Sequence, residues 1–252
     1  METVYNCRRY QYETGEHITF YHHAINTGKE KPEDSLLNKT HDTSDRTPEA
    51  EKHAMAVSAS RAKNNVYRIA RSNSWDWFIT LTFDRKKVDA SDYDLVVQRL
   101  NDFLWHIKER KCPDMKYIIV PELHSDKEHY HFHGLLANVD NLTFKAWKID
   151  RKKNQIIYNI TDWSYGFTTA TKVFDTGRVS SYITKYITKS VDEHLKEKRR
   201  YYYSRNCHIA EEEHFLLDED DFRKIYADRI LYVKTVDIPQ ANQQITYYEL
   251  KY

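Results

Sequence analysis

The chain has 252 residues, 40% of them hydrophobic, which suffices for one substantial core with polar appendages. Its 39 Lys and Arg against 38 Asp and Glu leave a formal charge of +1, so overall charge does not announce a nucleic-acid partner, and local clusters have to carry any such case. Cys7, Cys112 and Cys207 are odd in number and in no metal-finger spacing, which excludes a disulfide framework and points to a reducing compartment.

The first residues lack the apolar run of a signal peptide, and no stretch approaches a membrane span, so a cytoplasmic protein with no membrane partner is expected. Residues 1 to 27 alternate loosely around Tyr10, Tyr12, Ile18 and Phe20, as a hairpin or an arm does. Residues 28 to 50, "GKEKPEDSLLNKTHDTSDRTPEA", are charged and turn-prone and read as a linker. The organisation expected is an N-terminal arm and polar linker over 1–50, a main domain over 51–206, and a C-terminal acidic and aromatic extension over 207–252.

Within the main domain, residues 49 to 72 suit a basic helix carrying Arg61, Lys63, Arg68 and Arg71; phosphate contact and a plain solvated face explain it equally. "WDWFITLTF", residues 75 to 83, is aromatic and β-branched and predicts a central strand. "SDYDLVVQRLNDFLWHIKER" places Leu95, Val96, Leu100, Phe103, Leu104 and Ile107 at helical spacing behind a Ser/Asp start signal. "MKYIIVPE" and "HYHFHGLLA", joined by "LHSDKE", form the pattern of an antiparallel hairpin. A helix or loop follows, then the strand "WSYGFTTATKVF" and a helix "DTGRVSSYITKYITKS" capped near Asp175 or Thr176. The fold class expected is α+β, a central antiparallel sheet flanked by helices. The acidic stretch of 210 to 220 reads best as a solvated acidic helix.

Two short stretches carry chemistry. In "HYHFHGLLA" the period of two puts His129, His131 and His133 on one strand face and Tyr130, Phe132 and Leu136 on the other. Glu122 lies nine positions before His131, so the hairpin folds it back beside that histidine and offers a His, His, Glu set. A carboxylate beside imidazoles biases such a site toward a harder divalent ion, Mn²⁺ or Mg²⁺. The alternative is a row of strand histidines satisfied by hydrogen bonds alone.

In "YITKYITK", about 100° of turn per residue brings Tyr182, Lys185, Tyr186 and Lys189 onto one stripe, while Val179, Ile183, Ile187 and Val191 form an apolar one. On this reading both tyrosines stand clear of the core beside their lysines. A tyrosine phenol can attack a phosphodiester and hold the strand as a phosphotyrosine, with an adjacent ammonium and a bound cation favouring the phenolate. A solvated polar face that happens to repeat is the plainer alternative.

In chain order, "FITLTF", "HFHGLL" and "YITKYITK" resemble the three motifs of the HUH endonucleases that initiate rolling-circle replication, and the doubled tyrosine resembles the two-tyrosine phage and plasmid initiators. The resemblance, over about residues 61 to 206, implies the HUH/Rep nuclease fold, related to the RRM-like arrangement. It implies His131 and His133 as metal ligands with Glu122 as the third, His124 or His129 being substitutes. Tyr182 and Tyr186 are implied as nucleophiles assisted by Lys185 and Lys189, and Thr80, Leu81 and Thr82 as a structural motif near the DNA path.

The implied activity is a divalent-metal-dependent nick in single-stranded origin DNA, held in a hairpin or exposed, leaving a 5′-phosphotyrosine and a 3′-hydroxyl primer. Because the five glycines form no phosphate-binding loop, a host helicase is expected beside the host polymerase. An HUH transposase, or a non-catalytic module that binds single-stranded nucleic acid, are the competing readings.

Overall fold

The computed structural model describes residues 4–27, 47–189 and 198–252. Most of the expected linker, and Val191 of the apolar stripe, lie outside the described residues, as does the side chain of Lys189. The chain divides into two compact units, Thr47–Ile209 and Met1–Arg46 with Ala210–Tyr252. The architecture is α+β with two antiparallel sheets, as expected from the element order.

The larger unit opens with helix α1 (Pro48–Arg71), started by Thr47, whose side chain accepts from the Ala50 N–H. Strand β3 (Trp77–Phe83) follows, then α2 (Tyr93–Arg110), which Asp92 caps by accepting from the N–H groups of Asp94 and Leu95. Strands β4 (Lys116–Leu123) and β5 (Tyr130–Ala137) form the expected hairpin. Then come β6 (Phe144–Asp150), β7 (Gln155–Ile160), β8 (Gly166–Lys172), α3 (Thr176–Lys189) and the two-residue β9 (Tyr202–Tyr203).

The sheet runs β6-β7-β8-β3-β5-β4-β9, so "FITLTF" is central, with the histidine strand beside it. Where the sequence suggested a helix or loop between β5 and β8, the chain folds as the β6–β7 hairpin. "FKAWKID" and "QIIYNI" meet across a polar turn in which Asn154 takes a left-handed φ of 48°. Its alternation is masked by Lys145, Lys148 and a bulge between Ala146 and Lys148.

Side chains alternate across this sheet. One face packs Ile79, Leu81, Phe132, Leu136 and Ile119 against Val96, Leu100, Phe103 and Ile107 of α2. The other packs Ile118, Val120 and Leu135 against Val66 and Ile69 of α1 and Ile183 and Ile187 of α3. Gly166 permits the close run of β8 on β3, because a Cβ there would sit 2.2 Å from the carbonyl oxygen of Thr82.

The smaller unit joins the two ends of the chain. β1 (Val4–Tyr12) and β2 (Gly15–Asn26) make the hairpin, and β10 (Glu213–Phe215), β11 (Ile230–Ile238) and β12 (Gln243–Leu250) complete a sheet ordered β10-β1-β2-β12-β11. Phe222 of the short helix α4 (Glu219–Ile225) packs on Cys7, Ile18, Phe20, Tyr248 and Leu250. The acidic stretch around 210–220 therefore supplies a strand and the first turn of α4 rather than one helix, its acids suiting the positive end of the helix dipole.

Candidate metal and tyrosine site

Register puts the histidine strand to use. His131 pairs with Glu122 across β4–β5, and His133 pairs with Thr80 across β3–β5, so all four side chains leave the same sheet face. Oε2 of Glu122 is 2.8 Å from Nε2 of His131 and 2.7 Å from Nε2 of His133, and the two Nε2 atoms are 3.0 Å apart. Glu122 and His133 are buried, His131 nearly so.

These separations fit a shared ion. Three ligand atoms on one face of an octahedron with bonds of about 2.1 Å lie about 3.0 Å from one another, so two imidazoles and a carboxylate converge here as a divalent ion requires. The outer partner fits as well. Thr80 Oγ1 lies 3.1 Å from Nδ1 of His133. When Nδ1–H donates to that hydroxyl, the Nε2 lone pair is directed into the cluster. Glu122, His131 and His133 are the one group of three such side chains among the described residues whose ligand atoms lie within 4.8 Å of one another.

The two substitute ligands are held elsewhere. His129 Nδ1 is 2.9 Å from Asp126, whose carboxylate is kept well below the usual range by the backbone N–H groups of Glu128 and His129. His124 packs edge-on to the His131 ring at 5.5 Å and faces Ser125 through Nδ1.

Helix α3 lies over this cluster. Asp175 starts it, accepting from the Arg178 N–H at 2.9 Å, which sets the register of every tyrosine that follows. The Tyr186 ring stacks on the His133 ring with 3.7 Å between centroids, and its hydroxyl donates to that of Tyr182 at 2.9 Å. Phe78 packs against His133, Tyr182 and Tyr186 together.

The expectation that both tyrosines stand clear of the core holds for one of them. Tyr182 is 39% exposed, whereas Tyr186 is 7% exposed and packs with Ile183, Ile187 and Val66. The reason is the tilt of the stripe: α3 seats its Ile183–Ile187 row on the sheet, and position 186, next to 183 and 187 on the wheel, is drawn under by the His133 ring. Burial, then the hydrogen bond to Tyr182, pushes the Tyr186 phenol well above its ordinary value. Lys185 sits with its ammonium 5.3 Å from the Tyr182 ring centroid, over the ring face.

Beside the tyrosines an open groove of about 680 Å³ runs over the same sheet face, lined by Phe78 and Thr80 of β3, Thr169 and Thr171 of β8, and Lys148 and Arg178. Phe78 and these groove residues were not among the sites expected from sequence. The signal for Phe78 was present in "FITLTF", where the even positions share the face of the Thr80–His133 contact.

No curated protein and no solved structure matches the chain. Residues 76–191, which span all three motifs and every residue of the cluster and the tyrosine stripe, match the family model of the ORF2-type replication-associated proteins. That segment, from β3 through α3, is a replication-associated protein segment of the ORF2 type, and the resemblance of its motifs to rolling-circle replication initiators of the HUH type stands.

Proposed function

We propose that the protein nicks single-stranded origin DNA by transesterification, with Glu122, His131 and His133 holding a divalent ion and Tyr182 acting as the first nucleophile. The observation that carries this reading is the stacking of Tyr186 on His133 with its hydroxyl on Tyr182, which brings the doubled tyrosine beside the only His/His/Glu cluster among the described residues.

When bound, the ion would supply Lewis-acid polarisation of the scissile phosphate. The chain's own groups do the rest. The Tyr182 oxygen forms the bond to phosphorus as the bond to the 3′ oxygen breaks, and the phenol proton is balanced by the proton taken up on the 3′-hydroxyl released. The 5′ phosphate stays on the protein, and the 3′-hydroxyl is left to prime synthesis.

The Tyr186 hydroxyl, donating to Tyr182, favours the charged form of the attacking oxygen, since a hydrogen bond to an anion stabilises it. Lys185 adds a positive charge beside the same ring. In the second half of the cycle Tyr186 is the reserve nucleophile, and Lys189 its assistant. Release of the Tyr182–Tyr186 hydrogen bond once Tyr182 is esterified frees the Tyr186 hydroxyl for that role. Host helicase and polymerase complete the replication cycle.

The test uses purified protein with 5′- or 3′-labelled single-stranded DNA pools, with and without Mn²⁺, read by denaturing gel and mass spectrometry. A chelator-sensitive adduct on Tyr182 carrying the downstream strand is expected. Tyr182→Phe should remove that first adduct, and Tyr182→Phe with Tyr186→Phe all covalent capture. Strand cleavage that persists in the double variant would sink the transesterase reading.

A further inference from the structure

The face of the large sheet that carries the cluster does not end at the tyrosines. Thr82 pairs with His131 on one side and with Phe167 on the other, so Phe167 of β8 shares the ligand face two strands away. At the usual strand spacing that is about 10 Å along the sheet. Phe167 is 43% exposed, and it packs edge-on at 4.8 Å against Trp147 of β6, itself 47% exposed. The bulge between Ala146 and Lys148 turns Trp147 toward the groove face beside Lys148, whose ammonium lies 4.1 Å from the Trp147 ring centroid.

Neither ring is core. The other face of the same strands packs Ala170, Tyr158 and Trp77. Two large rings on a solvated sheet face, beside a cation and continuous with a groove that reaches the nucleophile, have the composition of a surface that takes flat π-systems attached to phosphates. Along the groove four cationic side chains, Lys148, Lys153, Lys172 and Arg178, face two carboxylates, Asp150 and Asp175.

We propose that Trp147 and Phe167 form a stacking platform for unpaired bases of the strand on one side of the scissile phosphate, with Lys148 as its phosphate contact. The ligand class is single-stranded DNA with accessible bases; a paired duplex does not offer its base faces to a flat sheet. The platform rests on the single-strand nicking reading for its orientation, while its binding is measurable without any nick.

The test measures fluorescence anisotropy of labelled oligothymidylate of about 20 nucleotides on the Tyr182→Phe, Tyr186→Phe protein, against the same oligonucleotide with abasic positions walked along it. Trp147→Ala with Phe167→Ala should weaken binding at least about tenfold, the scale expected when two stacked bases lose their rings. Abasic substitution should weaken the parent at a short run of adjacent positions and leave the double variant nearly unaffected, and Trp147→Phe with Phe167→Tyr should restore both affinity and sensitivity.

Circular dichroism checks that the alanine variant is folded, and the abasic walk on the parent needs no variant at all. A parent indifferent to abasic sites, or a folded double variant as sensitive to them as the parent, overturns the platform. Nicking by the protein with both tyrosines intact, run in parallel with Mn²⁺, reports separately on the transesterase reading.

Discussion

The two faces of the seven-stranded sheet are made by the same strands, yet they differ in kind. On the α2 face, Ile79, Leu81, Phe132 and Leu136 are fully buried among other apolar side chains. On the opposite face, one residue along each strand, stand Phe78, Thr80, Glu122, His131 and His133, with α3 bringing two tyrosines onto them. The difference teaches that the period of two separates folding energy from chemistry within a single strand. "HFH" alternates a ligand, a core ring and a ligand.

That separation can be broken from either side. Phe132→Ala on the core face should cost about 3–5 kcal/mol, enough to unfold much of the larger unit, because a fully buried ring is lost and α2 cannot collapse onto the space. Urea denaturation followed by circular dichroism measures it. A loss under about 1 kcal/mol would mean the two faces do not divide the work as described.

One step smaller, Thr80→Val keeps the shape of β3 but removes the hydroxyl 3.1 Å from His133 Nδ1. Metal affinity by isothermal titration with Mn²⁺ should fall about 10- to 100-fold with little change in melting temperature, as expected when an imidazole loses the partner that orients it. Should stability fall while affinity holds, Thr80 belongs to the fold and not to the cluster.

Smallest is Asp175→Ala, which deletes the acceptor of the Arg178 N–H at the start of α3. It should cost about 1 kcal/mol. The same change frays the first turn of the helix that carries Tyr182, so rates of covalent capture should drop more than the stability does. Equal behaviour of Asp175→Ala and Asp175→Asn in both measurements would remove the cap from the account, since Asn caps as well as Asp.

Much of this was legible in the sequence because the signals were local. Alternation in "WFITLTF" and "HFHGLL", helical spacing in α2, the Glu122-to-His131 interval across a hairpin, and the Asp175 start of α3 each involve residues near in the chain. The β6–β7 hairpin was missed, since lysines and a bulge break the alternation on which strand reading depends. The unequal standing of Tyr182 and Tyr186 was missed for another reason: the stripe is equivalent on an isolated helix, and only the seat of α3 against His133 separates its members. The place of β12 against β2 likewise depends on pairing between segments more than 200 residues apart.

By itself the sequence determined which residue types alternate on each strand, where the helices start, and which side chains have the chemistry to hold an ion or attack a phosphate. These follow from periods of 2 and 3.6 and from capping, which act over a few residues. Tertiary structure alone decided that Glu122, His131 and His133 close to within 3.0 Å of one another at Oε2 and Nε2, that Tyr186 is buried while Tyr182 faces the groove, and that Trp147 comes to lie beside Phe167. Those outcomes depend on the order of strands in the sheet and the angle at which α3 rests on it. No local interaction specifies either, because each is set by how whole apolar faces bury against one another.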